Sequence, residues 1–179
     1  MKLSRPKDPL LLAAWGICIF ICGVLIFALV MVGIGAVAAV TVGRPEMLGE
    51  LTKVGAPASA LWLAEAILLL VAGVLYLALR FFNELIGIIQ SVGEGDPFHP
   101  DNGARLSRMG WIALIGQGLG LVIAGIVLLL APYIEKAGDK TGVEFGTDFG
   151  GLLMVLILFI LARVFKRGAE MREELEGTV

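Results

Sequence analysis

Charged residues are scarce in this chain of 179 residues. Asp, Glu, Lys and Arg together make up 17% of it, against about 25% in an ordinary soluble domain. Hydrophobic residues make up 58%, the mean hydropathy is +0.92, and the apolar residues are grouped in long blocks. This composition excludes an ordinary soluble domain and indicates an integral membrane protein.

Histidine and cysteine are also rare. The one histidine, His99, has no second histidine with which it could form a metal site. Cys18 and Cys22 lie four residues apart inside the first apolar block, on one face of a helix. Since there is no CxxC pair and no further cysteine, packing is favoured over redox or metal chemistry for both thiols. We expect neither a bound metal nor a cofactor.

Sequence patterns of catalytic machinery are absent as well. The chain contains no GxxxxGK[ST] or HExxH motif and no pairing of serine with histidine at an informative spacing. It also lacks a DNA-reading module and a long basic patch that would be exposed to water. We therefore expect a protein that is not an enzyme and that does not bind nucleic acid directly.

Apolar blocks long enough to cross a membrane are the main feature that is present. A helix that spans a hydrocarbon core of about 30 Å needs about 20 apolar residues. The predicted spans cover residues 10–42, 58–90, 106–131 and 149–165, with a middle loop at 91–105 and a tail at 166–179. The first block is too long for the apolar part of a signal peptide, so it predicts an uncleaved helix. The fold prediction is an all-α membrane protein with four spans.

The distribution of positive charge predicts the orientation of these spans. Ten of the fourteen Lys and Arg residues lie in the N-terminal tail, in the middle loop with its flanks, or in the C-terminal tail. The positive-inside rule assigns such segments to the cytoplasm. We therefore expect both termini and the middle loop on the cytoplasmic side.

The middle loop is rich in residues that break helices. The stretch "GEGDP" is expected to end the helix of the second span. Pro97 and Pro100 are expected to keep the residues between them extended, and Asp101 or Asn102 to cap the helix of the third span.

Two side chains between these prolines are candidates for contact with a partner. Phe98 is held between two prolines and could anchor a partner, fill a cleft between helices, or lie at the membrane interface. His99 is either a polar turn residue or a group that senses pH.

Polar residues inside the apolar blocks are few. Glu65 lies within the second span, where an ionisable side chain is either functional or close to the outer interface. Gln117 in the third span is expected to form hydrogen bonds between helices. These two residues would also be the polar groups of a small-solute or lipid carrier, which is one alternative function.

Small residues line one face of the third span. Such residues let helix backbones approach closely, and the face contains a GxxxG motif. The neighbour is a helix of the same chain or of another chain, so a homo-oligomer or an accessory subunit of a larger membrane complex stays open. The residues of this face are Ala113, Gly116, Gly120 and Ala124.

The tail changes the sign of its charge along its length. Arg163, Lys166 and Arg167 form a basic collar that suits anionic lipid. The acidic segment after it is either a solvated helix end or a surface for a basic partner. Its glutamates are Glu170, Glu173, Glu174 and Glu176.

Two motifs resemble those of a bacterial family of small four-helix inner-membrane proteins, known only as a domain of unknown function. The first motif opens the third span and consists of Gly95, Pro97, Phe98, Asn102, Leu106, Arg108 and Gly110. The second lies in the tail and consists of Val164, Phe165, Gly168, Arg172, Glu176, Thr178 and Val179. The chain has Gly177 where the family usually has a more hydrophobic residue.

This resemblance implies a location and a partner. It implies a multi-pass protein of the bacterial inner membrane, encoded beside a small helix-turn-helix regulator. The function expected from it is capture of that transcription factor at the membrane, by a surface made of the loop and the tail. The residues expected to contact the partner are Phe98, His99, Asn102, Arg105, Arg108, Glu170, Glu173, Glu174 and Glu176.

Overall fold

The computed structural model describes residues 8–136 and 149–176, and within them all regular structure is α-helical. The helices are α1 (Pro9–Thr41), α2 (Arg44–Lys53), α3 (Ser59–Gly93), α4 (Pro100–Lys136) and α5 (Phe149–Glu176). Four of them, α1, α3, α4 and α5, are long and apolar enough to cross a membrane. The predicted all-α class and the four candidate spans are confirmed for this part of the chain. The predicted N-terminal tail before residue 8 and the end of the C-terminal tail at 177–179 lie outside it.

The long helices expose large apolar side chains over much of their length. Leu10, Phe20 and Leu69 are 75%, 73% and 68% exposed. In the most apolar 18-residue window of α4, none of the residues is buried. Water would be an unfavourable solvent for such surfaces, at about 25 cal/mol per Å², whereas lipid chains cover them without this penalty.

The helices extend further than the apolar blocks from which they were predicted. α3 continues to Gly93 and α4 already begins at Pro100, so the predicted loop of residues 91–105 is reduced to residues 94–99. α5 continues through most of the predicted tail. The reason is that hydropathy marks the part of a helix that contacts lipid, whereas backbone hydrogen bonding continues into water.

The short helix α2 was not predicted. Its sequence does carry helix signals, because Pro45 occupies the first turn, Glu46 follows it, and Lys53 lies in the last turn. It is too short and too polar to register as a span, and it lies between the predicted first and second spans.

The described residues divide into two compact units. The first unit contains residues 8–26, 77–116 and 149–176, and the second contains residues 27–76 and 117–136.

The core of the first unit joins α3, α4 and α5. Leu106 and Met109 of α4 pack against Leu158 and Ala162 of α5, and side chains of α3 cover this cluster. Close approach of α4 and α5 depends on a glycine, since a Cβ atom added to Gly103 would lie 3.2 Å from the backbone oxygen of Ala162.

A second cluster of the first unit joins α1 and α3. Cys18 is buried there with Ile86 and Ile89, and Cys22 packs at its margin. Both cysteines are free thiols. Their role in this cluster is the packing role predicted from their spacing.

The second unit is formed by α2 with parts of α1, α3 and α4. Leu61 of α3 is 2% exposed, and α3 approaches α4 where a Cβ atom on Gly73 would lie 3.7 Å from Leu119 Cδ1. The guanidinium group of Arg44, at the start of α2, lies 5.1 Å from the ring centroid of Trp62. This cation–π contact holds α2 next to the first turns of α3.

Candidate interaction surface formed by the α3–α4 turn and α5

The α3–α4 turn is compact, and this corrects the prediction of an extended segment. Gly95 has φ +86°, a conformation that favours glycine. The backbone N–H of Asp96 donates to the carbonyl oxygen of Ser91 at 3.0 Å, and that of His99 donates to the carbonyl oxygen of Asp96 at 3.3 Å. These bonds fold residues 94–99 back onto the end of α3.

The start of α4 also differs from its prediction. Pro100 is its first residue, where a missing N–H costs nothing. His99 Nδ1 accepts a hydrogen bond from the backbone N–H of Asp101 at 3.3 Å. The residue that caps α4 is therefore His99, and the prediction that Asp101 or Asn102 would do so was wrong.

Asn102 lies inside the first unit and fixes the turn from within. Its side chain is fully buried. Its Nδ2 donates to Ser91 Oγ at 2.7 Å and to the carbonyl oxygen of Pro97 at 3.0 Å. A buried amide with these bonds is a structural element of the turn, so its predicted role as a contact for a partner is not consistent with its position.

Phe98 contacts α5. The centroid of its ring lies 5.6 Å from that of Phe165. A Cβ atom added to Gly168 would lie 2.6 Å from Phe98 Cδ1, so only glycine at this position leaves room for the ring. Because 42% of Phe98 remains exposed, the residue both packs on α5 and presents part of its ring to solvent.

An ion pair provides a second link between the turn and α5. Asp96 accepts a hydrogen bond from the guanidinium group of Arg172, and the two side chains are 31% and 49% exposed. Ion pairs this close to water contribute little stability, about 0.2–1 kcal/mol. The pair mainly orients the turn on the helix.

A cleft lies where the turn and α5 meet. Its volume is about 280 Å³, and polar and apolar groups both line it. The lining residues are Asp96, Phe98, Pro100, Ala169, Arg172 and Glu173. We call residues 94–99 together with residues 168–176 the loop–tail surface.

The acidic side of the loop–tail surface is formed by α5. Glu170, Glu173 and Glu174 are all exposed there. Glu176 is the last residue of α5, and its side chain lies outside what the structure describes.

The two predicted arginines contact α3 instead of the cleft. Arg105 lies over Gly87, where an added Cβ atom would be 2.5 Å from Arg105 Nη1. Arg108 Nε lies 3.3 Å from Glu84 Oε1. The structure thus brings Phe98 next to the acidic helix, whereas Arg105 and Arg108 join α4 to α3 and the side chain of His99 contacts Asp101.

Sequence reasoning also missed residues that form the site. Asp96 and Ser91 are single polar residues without a motif around them, and the only local signal is the glycine-rich stretch before Asp96. Arg172 was noted only as part of the tail motif. Their contacts join segments far apart in the chain, and no local pattern indicates them.

The small-residue face of the third span is divided in the structure. Ala113 packs against the core of the first unit. A Cβ atom on Gly116 or Gly120 would meet no atom within 4 Å. No helix of the described part of this chain therefore covers the GxxxG motif.

The two polar residues predicted inside spans both lie in the second unit. Glu65 of α3 and Gln117 of α4 are partly buried. They are separate from the loop–tail surface, whose residues all belong to the first unit.

Four helices able to cross a membrane define this molecule as a multi-pass α-helical membrane protein. The chain belongs to the family described as "Protein of unknown function (DUF2975)", whose profile matches residues 45–179. The matched region includes the α3–α4 turn and all of α5. No curated protein and no solved structure matches the chain at a significant level.

Proposed function

We propose that this protein is a non-enzymatic membrane regulator that captures a small, basic DNA-binding protein at the loop–tail surface. The observation that carries the proposal is the contact between the α3–α4 turn and α5. Phe98 packs on Gly168, and Asp96 pairs with Arg172. Two segments that are remote in sequence thereby form one continuous surface with an apolar centre and an acidic side.

The surface faces the cytoplasm in this proposal, and the membrane is the bacterial inner membrane. The support is the concentration of Lys and Arg at the termini and around the middle loop. A DNA-binding partner is present only on the cytoplasmic side, so this orientation is a requirement of the function.

The chemistry of the surface suits a basic partner with an exposed apolar residue. The exposed part of the Phe98 ring offers an aromatic anchor, a residue type that often contributes much of the binding energy. The carboxylates of Glu170, Glu173 and Glu174 attract positive charge and accelerate association. A DNA-binding protein carries that charge on the surface that contacts phosphates.

Capture at this surface would therefore compete with DNA. A regulator whose basic surface lies against α5 cannot neutralise phosphates with the same side chains. The resemblance of the two motifs to a family encoded beside a small helix-turn-helix regulator identifies the partner to test first.

The test uses the full-length protein in mild detergent and the regulator encoded next to it. Binding is measured by fluorescence anisotropy of the labelled regulator. Combined Phe98→Ala substitution and deletion of residues 170–179 should weaken binding at least about tenfold. Reversal of charge at residues 170, 173 and 174 to lysine should do the same by repulsion.

The matched control carries Glu46→Lys and Glu50→Lys, which reverse charge on α2 in the second unit. It should bind the regulator as the natural sequence does. A regulator that is retained with undiminished affinity by the two loop–tail variants would disprove the proposal.

An accessory role in a larger membrane complex is a second candidate. The observation in its favour is the GxxxG motif at Gly116 and Gly120, which no described residue covers, because small residues on a span permit close contact with another helix. Stable copurification with a large assembly, lost on Gly120→Leu substitution, would support this function in place of regulator capture.

A further inference from the structure

An apolar groove lies beneath α2 in the second unit. Two adjoining cavities of about 220 and 370 Å³ share Glu50, Leu51, Ala60 and Ala64. The remaining walls are formed by Val54, by Met47 and Leu61, and by Leu130, Tyr133 and Ile134 of α4. We call this space the α2 groove.

Small side chains create the floor of the α2 groove. Ala60 and Ala64 lie one helical turn apart in the first turns of α3. α2 is held above them by the contact of Arg44 with Trp62, and a left-handed glycine, Gly55 with φ +70°, returns the chain from α2 towards α3. The groove thus exists because α2 lies above the small side chains of Ala60 and Ala64.

The position of the groove places it at the edge of the apolar part of the protein. Ala60 is the second residue of α3, and Ile134 lies in the last turn of α4. Both helices are long and apolar enough to span a membrane. The groove therefore lies where their apolar stretches end, which is the level of lipid head groups and upper acyl chains.

We propose that the α2 groove binds one phospholipid of the surrounding bilayer, and that it selects a head group with a primary ammonium. The aliphatic lining matches an acyl chain. The two cavities together fall within the volume range of ligand pockets, which is about 300–1,000 Å³. A polar solute would find hydrogen-bond partners only among the few polar side chains of the groove and would leave its other hydrogen bonds unmade.

Besides the phenol of Tyr133, the ionisable groups that line the groove are two carboxylates. They belong to Glu46 and Glu50. Two nearby basic groups contact aromatic rings, since Arg44 lies over Trp62 and Lys136 Nζ lies 5.8 Å from the Tyr133 ring centroid. A third, Lys53, is paired with Glu50 itself, since its Nζ lies 2.6 Å from Glu50 Oε1.

This arrangement distinguishes between zwitterionic lipids. A primary ammonium donates up to three hydrogen bonds, which carboxylates accept strongly, whereas a trimethylammonium group donates none. The ammonium of phosphatidylethanolamine would donate to Glu46 and would share the Glu50 carboxylate with Lys53. Phosphatidylcholine would lose the hydrogen bonds at the carboxylates.

Native mass spectrometry of the purified full-length protein provides the test, with phosphatidylethanolamine or phosphatidylcholine of equal chain length added in detergent. The natural sequence should bind the former about tenfold more tightly. Glu46→Gln together with Glu50→Gln should remove this preference but retain binding of both lipids. Ala64→Phe should weaken binding of both lipids about tenfold because it fills the groove.

The matched control is Ala13→Phe, at an exposed position of α1 in the other unit, which should leave lipid binding unchanged. Equal affinity of the natural sequence for both lipids would overturn the proposal. Undiminished lipid binding by the Ala64→Phe variant would also overturn it. A third contrary result would be that the natural protein is a dimer, which Ala64→Phe converts to a monomer without loss of lipid, because a second copy of the chain would then occupy the groove. The carboxamide variants decide the outcome even if Ala64→Phe does not fold. These results leave the regulator proposal unaffected, because the loop–tail surface belongs to the first unit.

Discussion

At the scale of single residues, the position of the Phe98 ring depends on a glycine. The ring lies where a Cβ atom on Gly168 would be, at 2.6 Å from Phe98 Cδ1. Glycine is otherwise a poor residue for a helix interior, at a cost of about 1 kcal/mol relative to alanine. The contact with Phe98 gives a reason for a glycine at this position of α5.

Gly168→Ala should therefore lower stability, although alanine favours the helix. We expect a loss of about 1 kcal/mol or more, because the Phe98 ring must leave its position. The matched control is Gly118→Ala, whose added Cβ meets no atom within 4 Å, and it should be neutral or stabilising. Thermal unfolding in detergent measures both, and equal shifts for the two variants would contradict this account of Phe98.

Asn102 has the opposite character, since it is polar and fully buried. Asn102→Ala should reduce stability by about 1–3 kcal/mol, because the substitution leaves Ser91 and the Pro97 carbonyl without its amide. Asn83→Ala is the matched control, since Asn83 Nδ2 donates only within its own helix, to the Leu79 carbonyl oxygen, and is exposed. Thermal unfolding that shows the same shift for both variants would argue against the structural role of Asn102.

At the scale of helices, α4 and α5 approach each other closely at one crossing. Gly103 faces the backbone of α5, with its added Cβ atom 3.2 Å from both the Ala162 oxygen and the Lys166 nitrogen. Backbone atoms cannot rotate away as a side-chain end can. The crossing therefore sets how α5 is placed next to the α3–α4 turn.

Gly103→Val should separate α4 from α5 at this crossing. We expect destabilisation of about 1–3 kcal/mol and also weaker binding of the regulator, because the loop–tail surface needs both segments in register. Gly118→Val introduces the same side chain into α4 at an open position and serves as the control. Limited proteolysis of α5 reports its separation from α4, and fluorescence anisotropy reports binding of the regulator. If Gly103→Val changes neither, the predicted link between the helix crossing and the loop–tail surface is refuted.

At the scale of the whole molecule, the orientation in the membrane is the property on which the proposed function depends. Ten of the fourteen basic residues mark one side, and the α3–α4 turn and the end of α5 belong to the segments assigned to that side. The proposed capture of a DNA-binding protein at the loop–tail surface therefore requires the predicted orientation.

Topology reporters test this orientation directly. Fusions after residues 93 and 179 should report the cytoplasm, and fusions after residues 57 and 140 should report the outer side, as the distribution of positive charge requires. Residue 57 lies between α2 and α3, so the reporter there interrupts no helix. A C-terminus on the outer side would exclude capture of a DNA-binding protein at the loop–tail surface.

The sequence by itself determined the class of the protein, the four candidate spans and the location of the polar segments between them. Hydropathy and turn chemistry are local properties, so a window of about 20 residues contains the information needed for a span. Turn chemistry and charge singled out Phe98 and the glutamates of the tail, and the family resemblance implied that loop and tail form a single surface. Sequence reasoning missed α2, because a short polar helix lacks the apolar length of a span.

Only the tertiary structure decided which side chains form that surface. Asn102 points into the first unit, Arg105 and Arg108 bind α3, and Phe98 lies on Gly168. These outcomes depend on the register and separation of helices that are distant in the chain. Helix packing sets both quantities through the shapes of two surfaces at once, and a pattern within one segment does not contain them.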